Sequence, residues 1–485
     1  MSSVLCRRNR RLSKKQLRAL HRQQVKSARK ARRDLDRNHQ HLPRRAQAFF
    51  GLLAQPFRRP TYRRFVVLAV AAILTLGGHT IANLLRCLGA LAPGHPSSYH
   101  RVFSRSPWCC WQLARRFTSM ILARFAARGV IELAGDDTVA EHPGPKVYGK
   151  GCHRDPVRST HSFTAFRWGH KWVVLALLVR FPFATRRWAL PLLMALYRPQ
   201  EENRRAGRRH KTPPELLRQL LLVVMRWFPD RKFVCTADGN YATHELAELA
   251  SRYRGRLTFI SKFYPNANLV ALPPSYSGKG RPRIKGKDLP APAQEVASAV
   301  RRPHWDVAWY GGGQRRVEVV TGTGHWYKGG RPLVAVRWVF VRDLTGTHRD
   351  EYFFTTEPDL DAQRVIETYT GRWNIETTFQ EVRSYLRLET TRGWSRNTVL
   401  RVGPCLFGLY TVVTYLYTEL PSRYTRLRVV DWPGKRDVTF SDAITAVRRW
   451  LWQEWVLAIP GHSRAFSKLS APLRQVLLNG LAPAA

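Results

Sequence analysis

Apolar positions along the chain change their spacing three times. Between residues 65 and 128 they recur at helical intervals in three segments, 66–76, 80–91 and 108–127, with the Pro/Gly/Ser stretch 92–98 before the last. From residue 129 short apolar runs alternate with one long helical pattern. Strands are predicted at 130–133, 162–168, 172–179, 233–236 and 257–262, and helices at 213–228 and 241–253. Strands 162–168 and 172–179 read as a pair linked by Gly169-His170. This succession predicts a mixed α/β domain. Residues 264–345 depart from it. The basic Gly/Pro linker 278–287 is followed by strand patterns at 305–310, 316–321 and 333–341, which reads as a β-rich insertion. Helices are predicted over 361–388, 398–417 and 441–456, the last with Ser441 as its N-cap. The resulting division is a basic arm, expected to be flexible, at 1–60; a helical DNA-binding region at 61–128; the first part of the core at 129–263; the insertion at 264–357; a core helix at 358–395; and a helical C-terminal region at 396–485.

The helix predicted at 361–388 carries one informative face. Tyr369, Arg372, Glu376 and Arg383 stand at offsets 0, 3, 7 and 14, which fall within an arc of roughly 60° on a regular helix. Glu367 and Glu381 lie off that stripe. A carboxylate flanked by two guanidinium groups and a phenol suits a residue that holds a metal ion while its neighbours grip a phosphate. The competing reading is an exposed helix with ordinary charge pairs, since Arg372 and Glu376 are spaced i,i+4.

Charge tilts the choice. The chain has 81 Lys and Arg against 33 Asp and Glu, a formal net charge of +48 over 485 residues. Such an excess is self-repulsive and points to a polyanionic partner, nucleic acid foremost. The first 50 residues alone hold 16 Lys or Arg and two acids, Asp34 and Asp36, which suits phosphate contact. A membrane is not expected: the runs 65–76 and 402–417 are short, the second is broken by Gly403, Pro404 and Gly408, and both read as buried helices. No secretory signal pattern is visible, and the seven cysteines form no Cys-x-x-Cys pair, so a reducing cytoplasm is the expected setting. His142, Cys152, His153 and His161 cluster along the chain, but in no standard zinc spacing.

Asp136 and Asp238 each follow a predicted strand, and Glu376 lies on the later helix. Acids at strand ends project from one sheet edge, where a packed helix can add a third. Three convergent carboxylates form a hard oxygen site suited to Mg²⁺. Two such ions can serve phosphoryl transfer with no side-chain nucleophile.

Asp136-Asp137-Thr138, Asp238-Gly239-Asn240-Tyr241 and the Tyr369-x2-Arg372-x3-Glu376-x6-Arg383 helix together resemble the DDE transposases of bacterial insertion sequences, most of all the group with a Tyr-Arg-Glu-Lys signature. The resemblance covers about residues 60–460. It implies an RNase H-like mixed-sheet core with a β-rich insertion before the glutamate helix and helical regions on either side. It implies Asp136, Asp238 and Glu376 as catalytic metal ligands for two Mg²⁺ ions, with Mn²⁺ able to substitute. Tyr369 and Arg372 would contact the DNA backbone, and Arg383 stands where the family usually has Lys, with a different geometry. Asp137 is the rival of Asp136, with a supporting role behind the metal site expected for it. In some relatives a tryptophan stacks on a flipped base; Trp305, Trp326 and Trp338 lie in the matching insertion. The implied partners are double-stranded DNA, as transposon terminal inverted repeats and target, and a second copy of the chain on paired ends. The bacterial cytoplasm and nucleoid would be its location.

Two basic segments add candidate contacts. The Gly- and cation-rich loop 146–154, with Lys146 and Lys150, suits a phosphate backbone but also a solvated hairpin. Gly280-Arg281-Pro282-Arg283 resembles a minor-groove arm, though a plain linker has the same composition. The expected activity is cut-and-paste transposition. The alternatives are an inactive or domesticated DNA-binding relative, and an RNase H-like nuclease without strand transfer.

Overall fold

The computed structural model describes residues 42–155, 158–160, 162–276, 278, 280–426 and 433–483. The first 41 residues of the expected arm and His161 lie outside that range. The described end of the arm is folded. Helix α1 (Arg44–Leu52) buries Ala46, Phe49 and Phe50, and Phe49 packs on Tyr415 with ring centroids 4.7 Å apart. An apolar Phe-Phe pair inside a basic segment is enough to dock it. Helices α2 (Arg59–Leu74), α3 (Ile81–Leu88), α4 (Pro96–Ser104) and α5 (Cys110–Phe125) follow. Thr80 caps α3 by accepting from the Asn83 backbone N–H. Tyr99, Phe103 and Trp108 are buried core residues, although the basic and aromatic composition of 99–108 also suits DNA contact.

The sheet is built from β1 (Ile131–Glu141), β2 (Gly151–Arg154), β3 (Phe166–Val179), β4 (Trp188–Tyr197), β5 (Phe233–Ala237), β6 (Leu257–Lys262), β7 (Leu269–Val270), β8 (His304–Ala308), β9 (Gln314–Trp326), β10 (Val334–Asp343) and β11 (Glu351–Thr355). Its path runs β2-β3-β1-β5-β6-β11-β10-β9-β7, with β4 beside β3 and β8 beside β9. Strands β1, β5 and β6 are parallel to one another, while β3 is antiparallel to β1. Strands β4-β3-β1-β5-β6 are thus the mixed five-strand arrangement of an RNase H-like core. The insertion strands continue the same sheet, because β11 pairs antiparallel with β6.

Helix α6 (Gln200–Arg205) and helix α7 (Pro213–Trp227) follow β4. A capping box of Thr212 and Glu215 starts α7, which packs on β1, β3 and β4. Gly135 lets it come close: a Cβ there would stand 2.7 Å from Leu217 methyl carbons. Helices α8 (His244–Arg252) and α9 (Pro292–Ser298) flank the insertion. On the far side of β1 lie α10 (Ala362–Arg372) and α11 (Asn374–Tyr385). Next comes α12 (Arg396–Thr418), long and apolar enough to cross a membrane by composition, with much of its surface buried against β4 and the later helices. Helices α13 (Ser422–Thr425), α14 (Phe440–Leu451), α15 (Pro460–Ser467) and α16 (Ala471–Leu481) complete the chain. The cap of α14 is Thr439, in a box with Asp442, and not Ser441.

Three sequence expectations change. Strand β1 does not stop at Leu133 but runs through Asp136, because its pairing with β3 continues to Glu141 opposite Gly169. Gly169 is no linker: it lies inside β3, where a Cβ would fall 2.1 Å from the Ala140 carbonyl oxygen. That close backbone approach permits only glycine. The helix predicted at 361–388 is two helices joined at Trp373, where bonds from Trp373 N–H to Thr370 and from Glu376 N–H to Trp373 tighten the chain to i→i+3.

Gly169→Ala is expected to lower stability by at least about 1–3 kcal/mol through overpacking. Gly51→Ala, in open space near the end of α1, should leave the melting temperature unchanged or slightly raised. Equal melting of the two variants would show that β3 does not approach β1 as described.

Candidate active site

Side chains alternate along β1, and this sorts its polar residues. Gly135 and Asp137 face α7; Asp136 and Thr138 face the α10–α11 pair. The last parallel pairing between β1 and β5 joins Gly135 to Ala237. Asp136 and Asp238 are the next residue on each strand, so they stand side by side at one sheet edge, about 4.8 Å apart in backbone terms. The end of β5 is fixed by Ser261, whose hydroxyl donates to the carbonyls of Ala237 and Asp238 at 2.9 and 3.0 Å.

Arg372 closes the arrangement. Its Nη1 donates to Asp136 Oδ2 at 2.5 Å, and its Nη2 lies 3.3 Å from Glu376 Oε1 and 3.7 Å from Asp238 Oδ1. One guanidinium therefore meets all three predicted acids. Burial pushes Asp136 up to about 7, with Arg372 opposing and Asp137 and Asp238 adding to the rise. Burial also raises Glu376 against the pull of Arg372. The surrounding carboxylates keep Arg372 firmly protonated despite its burial.

The stripe residues do not behave alike. Tyr369 and Arg372 were expected to reach a DNA backbone, but both are buried, at 0% and 4% exposure. Tyr369 stacks on Phe353 with centroids 4.3 Å apart, and the Arg372 guanidinium lies 5.6 Å from its ring centre. The break at Trp373 ends the single stripe, yet Glu376 still faces Arg372. Arg383 donates from Nη1 to Thr138 Oγ1 at 2.6 Å and pairs with none of the three acids. Glu381 is a buried structural acid, bound by Arg186 Nη2 at 3.0 Å and by the Tyr410 hydroxyl at 2.8 Å. Asp137 accepts from the Tyr241 hydroxyl at 2.8 Å and pairs with Lys171 Nζ at 3.0 Å. Lys146 is exposed, while Lys150 Nζ donates to the Gly144 carbonyl at 2.9 Å. Trp326 and Trp338 are core residues and Trp305 is half-buried.

Sequence reasoning missed Tyr241, Lys171 and Ser261, which brace Asp137 and the end of β5. It also missed Glu132, which binds Arg187 of the β3–β4 connection and Arg364 of α10 and so ties that helix to β1. A lone acid in the apolar run 130–134 was the available signal for Glu132.

As the chain stands, no group of three or more His, Cys, Asp or Glu side chains among the described residues is arranged to hold a metal ion. The donor chemistry nevertheless fits a hard divalent cation. Three carboxylates converge on one cationic group, which is Arg372 here. Asp136, Asp238 and Glu376 are the residues that would hold such an ion once the guanidinium gives way.

Comparison with known proteins identifies the family. A family model described as DDE superfamily endonuclease matches residues 52–316. The chain belongs to that family. The matched region contains Asp136 and Asp238 and ends before Glu376. Among solved structures, the piggyBac transposase synaptic complex with hairpin DNA aligns over 94% of this chain and 85% of that one, at 9% identity and a TM-score of 0.40. No curated protein matches.

Arg372→Ala removes the side chain that, among the described residues, contacts all three acids. Leaving a buried carboxylate without its partner costs about 3–5 kcal/mol in fully enclosed sites. The cost here should be smaller, because Asp238 and Glu376 are partly exposed. The variant should melt below the wild type, and Mg²⁺ should raise its melting temperature more than it raises that of the wild type. Equal Mg²⁺ shifts in the two proteins would show that Arg372 and a metal do not compete for one place.

Proposed function

We propose that this DDE-superfamily endonuclease is a DNA transposase that cleaves the ends of its element and joins them to target DNA. The observation that carries the reading is the convergence of Asp136, Asp238 and Glu376, from within β1, from the end of its parallel neighbour β5 and from one helix, on a single cationic point. Divalent metal ions held by these acids would activate the attacking oxygen and stabilise the leaving one. The chain's own residues set the geometry. The β1–β5 register places the two aspartates, Tyr241 and Lys171 fix Asp137 behind them, and α11 brings Glu376 over the edge. Double-stranded DNA is the partner that a net charge of +48 supports. Lys146 and Lys150 are proposed phosphate contacts, and a dimer on paired ends in a bacterial cytoplasm completes the reading. A nuclease without strand transfer would use the same acids, and only the products separate the two.

Asp136→Asn, Asp238→Asn and Glu376→Gln should each reduce Mg²⁺-dependent cleavage of an end-bearing duplex by about 10³-fold or more, while duplex affinity stays within about twofold, since charge-stabilised phosphoryl transfer depends on the metals. Asp137→Asn should keep a measurable fraction of activity. Cleavage by Glu376→Gln at the wild-type rate would sink the assignment. Strand transfer is tested separately, by joining of a pre-cleaved end to plasmid DNA.

Residues 1–41 carry 14 Lys or Arg against two acids. Their deletion, which spares α1, should weaken duplex binding and flatten its salt dependence, by roughly 0.9 in the log–log slope for each phosphate that the arm neutralises. An unchanged slope would place the arm off the duplex.

A further inference from the structure

A second place on the surface joins aromatic rings to cations. Between the loop that follows β1 and the segment that leads into α12 lies an open groove of about 620 Å³, lined by Lys146, Tyr148, Lys150, Trp168, Trp394 and Arg396 among others. Trp168 and Trp394 are 61% and 68% exposed. Most large rings of this protein are core residues, including Trp326 and Trp338 of the insertion, so two indoles left open on one groove call for a partner. Phe166, two residues before Trp168 on β3 and also exposed, projects from the same face.

The groove is held in shape. The Tyr148 N–H donates to the Trp394 carbonyl at 3.0 Å, which ties the two walls together. His170 Nε2 lies 3.1 Å from the Tyr148 carbonyl oxygen. Its charge is positive. Lys150 Nζ stands 5.6 Å from the centre of the Trp168 ring, and Arg208 Nη1 donates to the Tyr148 hydroxyl at 3.3 Å. The one acid lining it, Glu202, is already paired with Arg198 at 3.5 Å. Open indole faces beside unopposed cations match the two halves of a nucleotide, a base that stacks and a phosphate that pairs. In a duplex the base faces are covered by their neighbours, so the rings can engage only an unpaired base.

Its position suits the reaction. The strand that carries Asp136 runs five residues on to Glu141 before the loop begins, roughly 17 Å at about 3.4 Å per residue. At about 3.4 Å per nucleotide along one strand, the groove lies on the order of five nucleotides from the acids.

We propose that this groove binds unpaired nucleotides of single-stranded DNA, with bases stacked on Trp168 and Trp394 and phosphates held by Lys146, Lys150 and Arg396. The proposal rests on the nucleic-acid function argued above.

The test uses the full chain in EDTA, where no metal-dependent cleavage can occur, and about 0.3 M salt to suppress non-specific attraction. The probes are a dT12 oligomer carrying one 2-aminopurine and a blunt duplex of mixed sequence. The wild type should bind the oligomer with quenching of the 2-aminopurine. The Trp168→Ala/Trp394→Ala double variant should lose about tenfold or more in oligomer affinity together with the quenching, while duplex affinity stays within about twofold. Trp168→Phe/Trp394→Phe should restore much of the binding, which separates stacking from misfolding. Should the alanine variant melt early, Lys146→Ala/Lys150→Ala should weaken oligomer binding without abolishing the quenching at saturation. Unchanged oligomer binding by the alanine variant overturns the proposal, as does an equal loss for oligomer and duplex, which would mark the groove as a general phosphate surface. Wild type that binds neither DNA would overturn the transposase reading as well; wild type that binds the duplex but not the oligomer sinks the groove alone.

Discussion

Three carboxylates cannot share a largely buried corner unless something offsets their mutual repulsion, and here that is the guanidinium of Arg372. It touches β1 through Asp136, the end of β5 through Asp238 and α11 through Glu376. Breaking the pair with Asp136 would leave charge where water reaches poorly, while Asp238 and Glu376 keep partial access to solvent. Arg372 ends α10, and Glu376 follows in the first turn of α11. The tight turn at Trp373 between them is therefore part of the site: it lets one helix deliver the cation and the next deliver an acid. The ring of Tyr369, packed on Phe353 beneath the guanidinium, gives Arg372 a floor to lie on.

The pleat of β1 does the rest. An alternation of two residues separates Asp136 and Thr138, which meet α10 through Arg372 and α11 through Arg383, from Gly135 and Asp137, which meet α7, Tyr241 and Lys171. A slip of one residue in the pairing of β1 with β3 would exchange the two sets. It would put Asp137 before Arg372 and a side chain where only Gly135 leaves room for Leu217. Register and chemistry are thus fixed by the same pairing, and Gly169 protects it by allowing β3 to lie against Ala140.

Much of this was legible in the order of the residues. The helical segments of the N-terminal region, strands β5 and β6 and the insertion strands at 305–341 follow from local spacing, while the three acids were singled out by their positions together with the family resemblance. What stayed hidden was set by tertiary pairing. The extension of β1 past Leu133 depends on β3, far along the chain. The continuity of β3 through Gly169 depends on the Ala140 carbonyl. Strand β4, apolar nearly throughout and interrupted by Pro191, has no alternation to reveal it. The stripe on the glutamate helix rested on a regularity that the chain does not keep: the helix breaks at Trp373, Glu376 still meets Arg372, and Arg383 bonds Thr138 rather than any of the three acids.

The balance of charge links the site to the surface. Acids are scarce in this chain, and several are held internally: Glu132 by Arg187 and Arg364, Asp155 by Arg167, Glu381 by Arg186, Asp442 by Lys435. These pairs tie strands, helices and their connections to one another. Lys146, Lys150 and Arg396 are left on the rim of the groove beside Trp168 and Trp394, and residues 1–41 of the sequence add 14 Lys or Arg. A protein that needed only a soluble surface would intersperse the two signs. Holding several of its few acids inside suits the proposed transposase, which would need a corner of carboxylates for a cation and an exterior rich in cations for a polyanion.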